Sequence, residues 1–177
     1  TYDNIYLPMG RYIISETINL KQKTAIIGLN PITTQIRLKD EAPEFTGIGS
    51  PKAVIKTPRG GQNILSGIGI STGAKNLRAL GVKWQSGTKS MINDVKFLGC
   101  HGTYNSDGSY VKIYNKFRTG DPYLDREWDS QYWSLWVTNG GGGTFKNLWT
   151  ANTYARAGMY ISNTKTPGRI YAISSEH

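Results

Sequence analysis

Residues 134–175 can be laid over themselves. Ser134-Leu-Trp-Val-Thr138, the glycines at 140–143 and Thr144-Phe-Lys-Asn-Leu-Trp-Thr150 form one unit. Gly158-Met-Tyr-Ile-Ser162, a connection over 163–168 and Arg169-Ile-Tyr-Ala-Ile-Ser-Ser175 repeat it, so Leu148 and Ile173 hold equivalent places 25 residues apart. The unit recurs upstream. Ala79-Leu-Gly-Val-Lys-Trp84, a turn over 85–89 and Ser90-Met-Ile-Asn-Asp-Val-Lys-Phe97 put Val95 at the place of Leu148. One step earlier, Asn63-Ile-Leu-Ser-Gly-Ile-Gly-Ile70 puts Ile68 there, 27 residues before Val95. Repetition at this interval builds a stacked array, because one unit cannot bury its apolar side until the next covers it. Units of short β-runs, with no helical period between them, predict an all-β chain wound as a parallel β-helix, a single-stranded solenoid.

Within each unit the second strand bends. In Ile92-Asn-Asp-Val-Lys-Phe97 the apolar alternation slips by one between Ile92 and Val95, and the slip recurs in Phe145–Leu148 and Ile170–Ile173. A side-chain period of two cannot keep all of these residues inward unless the chain turns a corner there. Asp94 and Asn147 fall on that corner. Small polar side chains there can bond the backbone of a neighbouring coil, which is a structural role. The glycine tract 140–143 lacks the following Gly-Lys-Ser/Thr of a phosphate loop. A coil corner that needs positive φ explains it better.

Upstream, Ile5–Ile14 reads as strand, Pro/Gly turn, strand, and Thr17–Leu20 continues the alternation. Lys23–Gly28 and Thr34–Leu38 are two short strands around a turn at 29–31, followed by a loop over 40–51 and a strand at Ala53–Thr57. Leu98–Tyr132 breaks the period and reads as a long loop, about 98–132, inserted into one β-helix domain spanning 1–177. Tyr110–Tyr114 is either a strand of an intervening coil or part of that loop, and irregularity on both sides favours the loop. Long loops on rigid scaffolds often carry function.

Composition agrees. The 177 residues suffice for one domain with a sizeable core, and 21 glycines beside aromatic and β-branched residues favour strands and tight turns. The lone Cys100 rules out an internal disulfide, and with only His101 and His177 beside it a Cys/His zinc site is not expected. No cofactor is indicated, and Ca²⁺ is left open without a residue pattern pointing to it. No apolar run is long enough to cross a bilayer, so a membrane partner is not expected. The chain starts at Thr1, so a missing leader says nothing about compartment. The net charge of +9 is spread along the chain. It is either a solvated surface or an attraction to a polyanion. No nucleic-acid-binding motif accompanies it, which leaves acidic polysaccharide ahead of nucleic acid as a partner.

Tyr6-Leu-Pro-Met-Gly-Arg-Tyr12 resembles the strand-turn-strand that opens right-handed parallel β-helix proteins of the pectate-lyase superfamily. Gly67–Gly73, Gly81–Trp84, Asp129–Trp136 and Gly140–Phe145 are similar to a bacterial and fungal branch related to the β-helical exo-β-1,3-glucanases. The similarity covers nearly the whole chain. It implies a right-handed coil and leaves the activity open among lyases, hydrolases, epimerases and tailspikes. It also implies a capping segment before Thr1 and further coils after His177. The array thus reads as incomplete at one or both ends, a fragment whose partners include the rest of a longer parent chain.

Two places can hold chemistry. Stacked coils lie about 4.8 Å apart and alternate residues of one strand about 6.6 Å apart. Outward columns then run Lys96, Trp149, Ser174 and Leu98, Ala151, Glu176, which brings Trp149 and Glu176 onto one displayed face within about 8 Å. An indole suits the apolar face of a sugar and a carboxyl can act on the glycosidic oxygen. The second place is 118–133, where Asp125, Glu127 and Asp129 lie on one side of an extended strand among Arg126, Trp128, Tyr132 and Trp133. Glycoside hydrolysis needs two carboxyls across the bond, about 5–9.5 Å apart, one of them held protonated. A lyase needs a cation beside a uronate carboxyl and a base for the C5 proton. Arg118, Arg126, Arg156 and Lys146 can supply the cation, and His101 or a tyrosine the base.

The expected function is cleavage of a polysaccharide or oligosaccharide, as glycoside hydrolase or polysaccharide lyase, by a secreted or cell-surface protein. Glu176, Asp125, Glu127 and Asp129 are the candidate catalytic residues. Trp149, Trp128, Trp133, Tyr132, Arg126 and Arg156 are the candidate substrate contacts. A non-catalytic glycan-binding or tailspike-like adhesion module, or a scaffold part of a larger enzyme, is the alternative.

Overall fold

The computed structural model describes residues 3–99 and 131–175, and every regular element among them is a β-strand. Numbered along the chain, the strands are β1 (Asp3–Leu7), β2 (Gly10–Ile14), β3 (Ile18–Asn19), β4 (Thr24–Gly28), β5 (Thr34–Leu38), β6 (Lys52–Lys56) and β7 (Ile64–Ser71). They continue as β8 (Ala79–Trp84), β9 (Met91–Gly99), β10 (Leu135–Val137), β11 (Gly143–Asn152), β12 (Met159–Ile161) and β13 (Gly168–Ser175). One sheet runs β1-β4-β7-β9-β11-β13, with β2 beside β5 and β5 beside the far half of β7. The other runs β3-β6-β8-β10-β12. Neighbours in both sheets pair in parallel. Parallel neighbours need a crossover between them, and here each crossover contains a strand of the opposite sheet. The chain is an all-β parallel β-helix.

The register bears out the repeat alignment residue by residue. Ile68 lies opposite Val95, Val95 opposite Leu148 and Leu148 opposite Ile173. The corner is where the alternation slips: Gly67, Asp94, Asn147 and Ala172 all have φ between 50° and 64°. Its polar side chains act differently from the expectation. Instead of bonding a neighbouring backbone, Asn147 Nδ2 faces Asn93 Oδ1 at 3.4 Å and Asn93 Nδ2 faces Ser66 Oγ at 3.4 Å, a side-chain ladder up the corner. In the first two coils the corner opens into a turn, at 8–9 and at 29–33. In the second of these turns Asn30 Oδ1 accepts the Ile32 N–H at 2.8 Å.

The core lies between the sheets. Ile68, Val95, Phe97, Phe145 and Leu148 from one meet Ile55, Val82, Trp84, Leu135 and Val137 from the other. Trp84 is fully buried, packs edge-on to Phe145 at 6.1 Å and donates its indole N–H to the Gly142 carbonyl at 2.9 Å. That bond ties the sheet to the glycine tract, which turns the corner as expected, with φ +88° at Gly140 and +98° at Gly143. At Gly143 a Cβ would run into the Ser90 carbonyl of the coil below, so the tract serves close coil stacking as well as φ.

One expected column is corrected. Lys96, Trp149 and Ser174 stack in register, as do Leu98 and Ala151. Yet Leu98 and Ala151 are fully buried, so they form a covered seam and no displayed face. The neighbours explain it: Leu98 leans over the bare backbone of Gly69, where the connection 29–33 also crosses with the Pro31 carbonyl against the glycine. The segment 100–130, with Tyr110–Tyr114, lies outside the described residues.

Candidate functional site

On the second sheet a period of two sends one residue per coil outward at the same level. Asn19 lies opposite Lys56, Lys56 opposite Lys83, Lys83 opposite Trp136 and Trp136 opposite Tyr160. At about 4.8 Å per coil this column extends for roughly 19 Å. After Asn19, cations occupy the next two coils and aromatic rings the last two.

The aromatic end is built by Tyr132 and Trp133, which precede β10 and fold over the column. Trp133 stacks on Tyr160 with ring centroids 4.2 Å apart and 25° between planes, and meets Trp136 at 5.0 Å. Tyr132 stands edge-on to Trp133 at 5.5 Å. Polar atoms hold two of these four rings in place. Trp136 Nε1 donates to Ser162 Oγ at 2.8 Å, and the Tyr132 hydroxyl donates to the Gly49 carbonyl at 2.8 Å. The Arg156 guanidinium lies 5.2 Å from the Tyr132 ring centre. Tyr160 is 40% exposed and Trp133 and Trp136 are half-buried, so the assembly is a surface platform and no part of the core.

At the other end is a groove of about 350 Å³ between the first coils and the 40–51 loop, lined by Glu16, Asn19, Glu44, Lys52, Lys56 and Lys83. The loop is pinned from several sides: Asn76 Oδ1 accepts the Ala42 N–H at 2.8 Å, Asp40 Oδ1 accepts the Ala74 N–H at 2.8 Å and Arg78 Nε donates to the Ser50 carbonyl at 3.1 Å. Glu44 forms an ion pair with Lys52. Lys83 joins the two ends, its Nζ lying 4.5 Å from the Trp136 ring centre. Burial, and then the like charge of Lys56, push the Lys83 ammonium below the ordinary lysine pKa.

The structure brings together Tyr132, Trp133 and Arg156 from the sequence candidates. It separates Trp149 from them. That indole sits half-buried on the outer face of the other sheet, with Lys96 Nζ 4.6 Å from its ring centre. Asp125, Arg126, Glu127, Trp128, Asp129 and Glu176 lie outside the described residues, as do Cys100, His101, Arg118 and His177. Lys146 is exposed on β11, on the sheet opposite the groove. The sequence analysis missed Lys56, Lys83, Trp136, Tyr160 and the groove acids Glu16 and Glu44. A signal for three of them was present, since Lys83, Trp136 and Tyr160 hold equivalent outward places in the aligned first strands. Among the described residues no cluster of three His, Cys, Asp or Glu could hold a metal ion, and no helix is long and apolar enough to cross a membrane.

Compared with protein-family models, residues 1–176 match the one described as "Rhamnogalacturonase A/epimerase, pectate lyase-like". Among curated proteins no relative matches the chain.

Proposed function

From the premise that this chain belongs to the rhamnogalacturonase A/epimerase, pectate lyase-like family, we propose that it is a carbohydrate-active protein. It lays a polysaccharide along the outer face of its second sheet and cleaves it, as glycoside hydrolase or polysaccharide lyase. One observation carries this reading: a single in-register column runs from a polar groove onto a stacked Trp133–Tyr160 platform. Flat rings offer apolar area to a sugar face at small entropic cost, and polar groups beside them fix its orientation.

Hydrolysis at this face needs two carboxyls. Glu16 and Glu44 border the groove, and Asp125, Glu127, Asp129 and Glu176 remain proposed acids. For elimination, Lys56 and Lys83 suit a uronate carboxyl because they lie on the column itself, and Arg118, Arg126 and Arg156 remain proposed cations. Family members are usually extracellular, and we place this protein outside the cell, in the branch related to the β-helical exo-β-1,3-glucanases. Incubation with a panel of neutral and acidic polysaccharides is expected to release reducing ends. Growth of unsaturated-uronate absorbance would single out the lyase. Release from no substrate would remove the enzymatic part of the proposal.

A second reading, a glycan-binding module without turnover, is favoured by the Glu44–Lys52 ion pair, which engages one of the two groove carboxylates. It predicts saturable binding to the same panel with no products.

A further inference from the structure

The 40–51 loop leads into the coil of β6 and reaches the platform two coils further on. Arg78, in the coil between, grips both of its stems. Its N–H donates to the Phe45 carbonyl at 2.9 Å, its carbonyl accepts the Lys52 N–H at 2.7 Å and its Nε donates to the Ser50 carbonyl at 3.1 Å. Phe45 is fully buried, which anchors the first stem in the core. The tip between the stems is different. Gly47 has φ +73° and open space where a Cβ would stand, and the Ile48 side chain is fully exposed. A segment with so little packed against it opens locally with ease. The Tyr132 hydroxyl meets this tip from the far side, donating to the Gly49 carbonyl at 2.8 Å. Tyr132 has its own supports: its N–H donates to the Ala79 carbonyl at 2.9 Å, its ring stands edge-on to Trp133 and Arg156 lies over its face. The coils of β6 and β10 are two steps apart, about 10 Å along the stack. That one bond therefore joins the loop that brings Glu44 to the groove with the rings stacked at the other end.

We propose that Tyr132 is a positioning residue whose hydroxyl latches the 47–49 tip against the aromatic platform. The latch makes groove wall and rings one continuous track for a long sugar chain. This deepens the proposed function and rests on it. A sugar that covers the rings alone does not need the tip. A chain that runs on into the groove does, because with the tip free, binding must also order it. Tyr132 acts here through the loop, and no bond is made or broken by it.

The test compares the native chain with Tyr132→Phe, which keeps the ring beside Trp133 and Arg156 and removes only the hydroxyl. Limited digestion by a broad-specificity protease, with cleavage at 46–50 read by mass, reports how often the tip opens and needs no ligand. Calorimetric titration with a disaccharide and a hexasaccharide, in a neutral and a uronic-acid series, reports what the latch does for binding. Cleavage at the tip is expected to quicken about three- to tenfold, as the loss of one exposed hydrogen bond implies, while other sites keep their native rates. Hexasaccharide affinity should fall by a similar factor and disaccharide affinity should not change. An unchanged cleavage rate at the tip overturns the latch. Faster cleavage with unchanged hexasaccharide affinity overturns the positioning role and leaves the platform standing. An equal loss for both lengths overturns it too, since the hydroxyl would then serve the platform itself. If no oligosaccharide binds the native chain, the proposed function falls and the positioning role falls with it.

Discussion

Alanine at Gly140 and at Gly143 should have different consequences, although both glycines have positive φ in one corner. At either position the left-handed backbone costs an alanine about 1–2 kcal/mol. At Gly140 a Cβ has room, its nearest neighbour being Thr166 Oγ1 at 3.8 Å. At Gly143 the Cβ meets the Ser90 carbonyl, and backbone cannot swing aside as a side chain can. Forced overpacking adds about 1–3 kcal/mol, for a total of about 2–5 kcal/mol at Gly143. Urea unfolding followed by tryptophan fluorescence reads the difference, since fully buried Trp84 is bonded to Gly142 in the same corner. With a slope of about 2 kcal/mol/M, the two midpoints should lie roughly 0.5–1.5 M apart. A solenoid can unfold in pieces, and comparing two substitutions in one corner removes that concern. Equal midpoints would refute the reasoning, because the coils would then not be stacked closely enough to exclude a methyl group.

Leu148→Ala should cost about 2–5 kcal/mol, since its side chain is enclosed between Val95 and Ile173. Ile173→Ala, at a partly buried place in the last described coil, should cost less than half of that in the same urea assay. Trp84→Phe leaves the Gly142 carbonyl without its buried donor and should cost about 1–3 kcal/mol by thermal or urea unfolding. Lys83 predicts an alkaline effect. Its folded pKa lies below the unfolded one, so the penalty on its charge is full at neutral pH and fades as pH rises through the folded value toward the ordinary lysine value. Over that window the native chain should gain stability relative to Lys83→Met, as read by unfolding at stepped pH.

Much of the fold was legible because the solenoid writes its geometry into spacing. Ile68, Val95, Leu148 and Ile173 are apolar at matched places for the reason that each covers the next, and the structure pairs all four. The bend was legible too, since a slip in alternation has few other physical causes. The site was less so. An outward strand residue carries no periodic constraint, so nothing in spacing separates Trp149, lying under Lys96, from Trp136, lying under Lys83. The aligned first strands put Lys83, Trp136 and Tyr160 at equivalent places, but pairing across the second sheet is what adds Lys56 and makes them one line. Trp133 and Tyr160, 27 residues apart in the chain, meet because a connection outside any strand folds back over the column. Leu98 marks the same limit, since alternation turns it outward and a crossing connection covers it.

The central claim is that the glycan lies on the outer face of the second sheet, and tryptophan substitution on the two faces tests it most directly. Affinity for a bound oligosaccharide should fall at least about tenfold in Trp133→Ala and stay within about twofold of the native chain in Trp149→Ala. The reverse pattern, with Trp149 needed and Trp133 dispensable, would move the site to the other sheet and contradict the account.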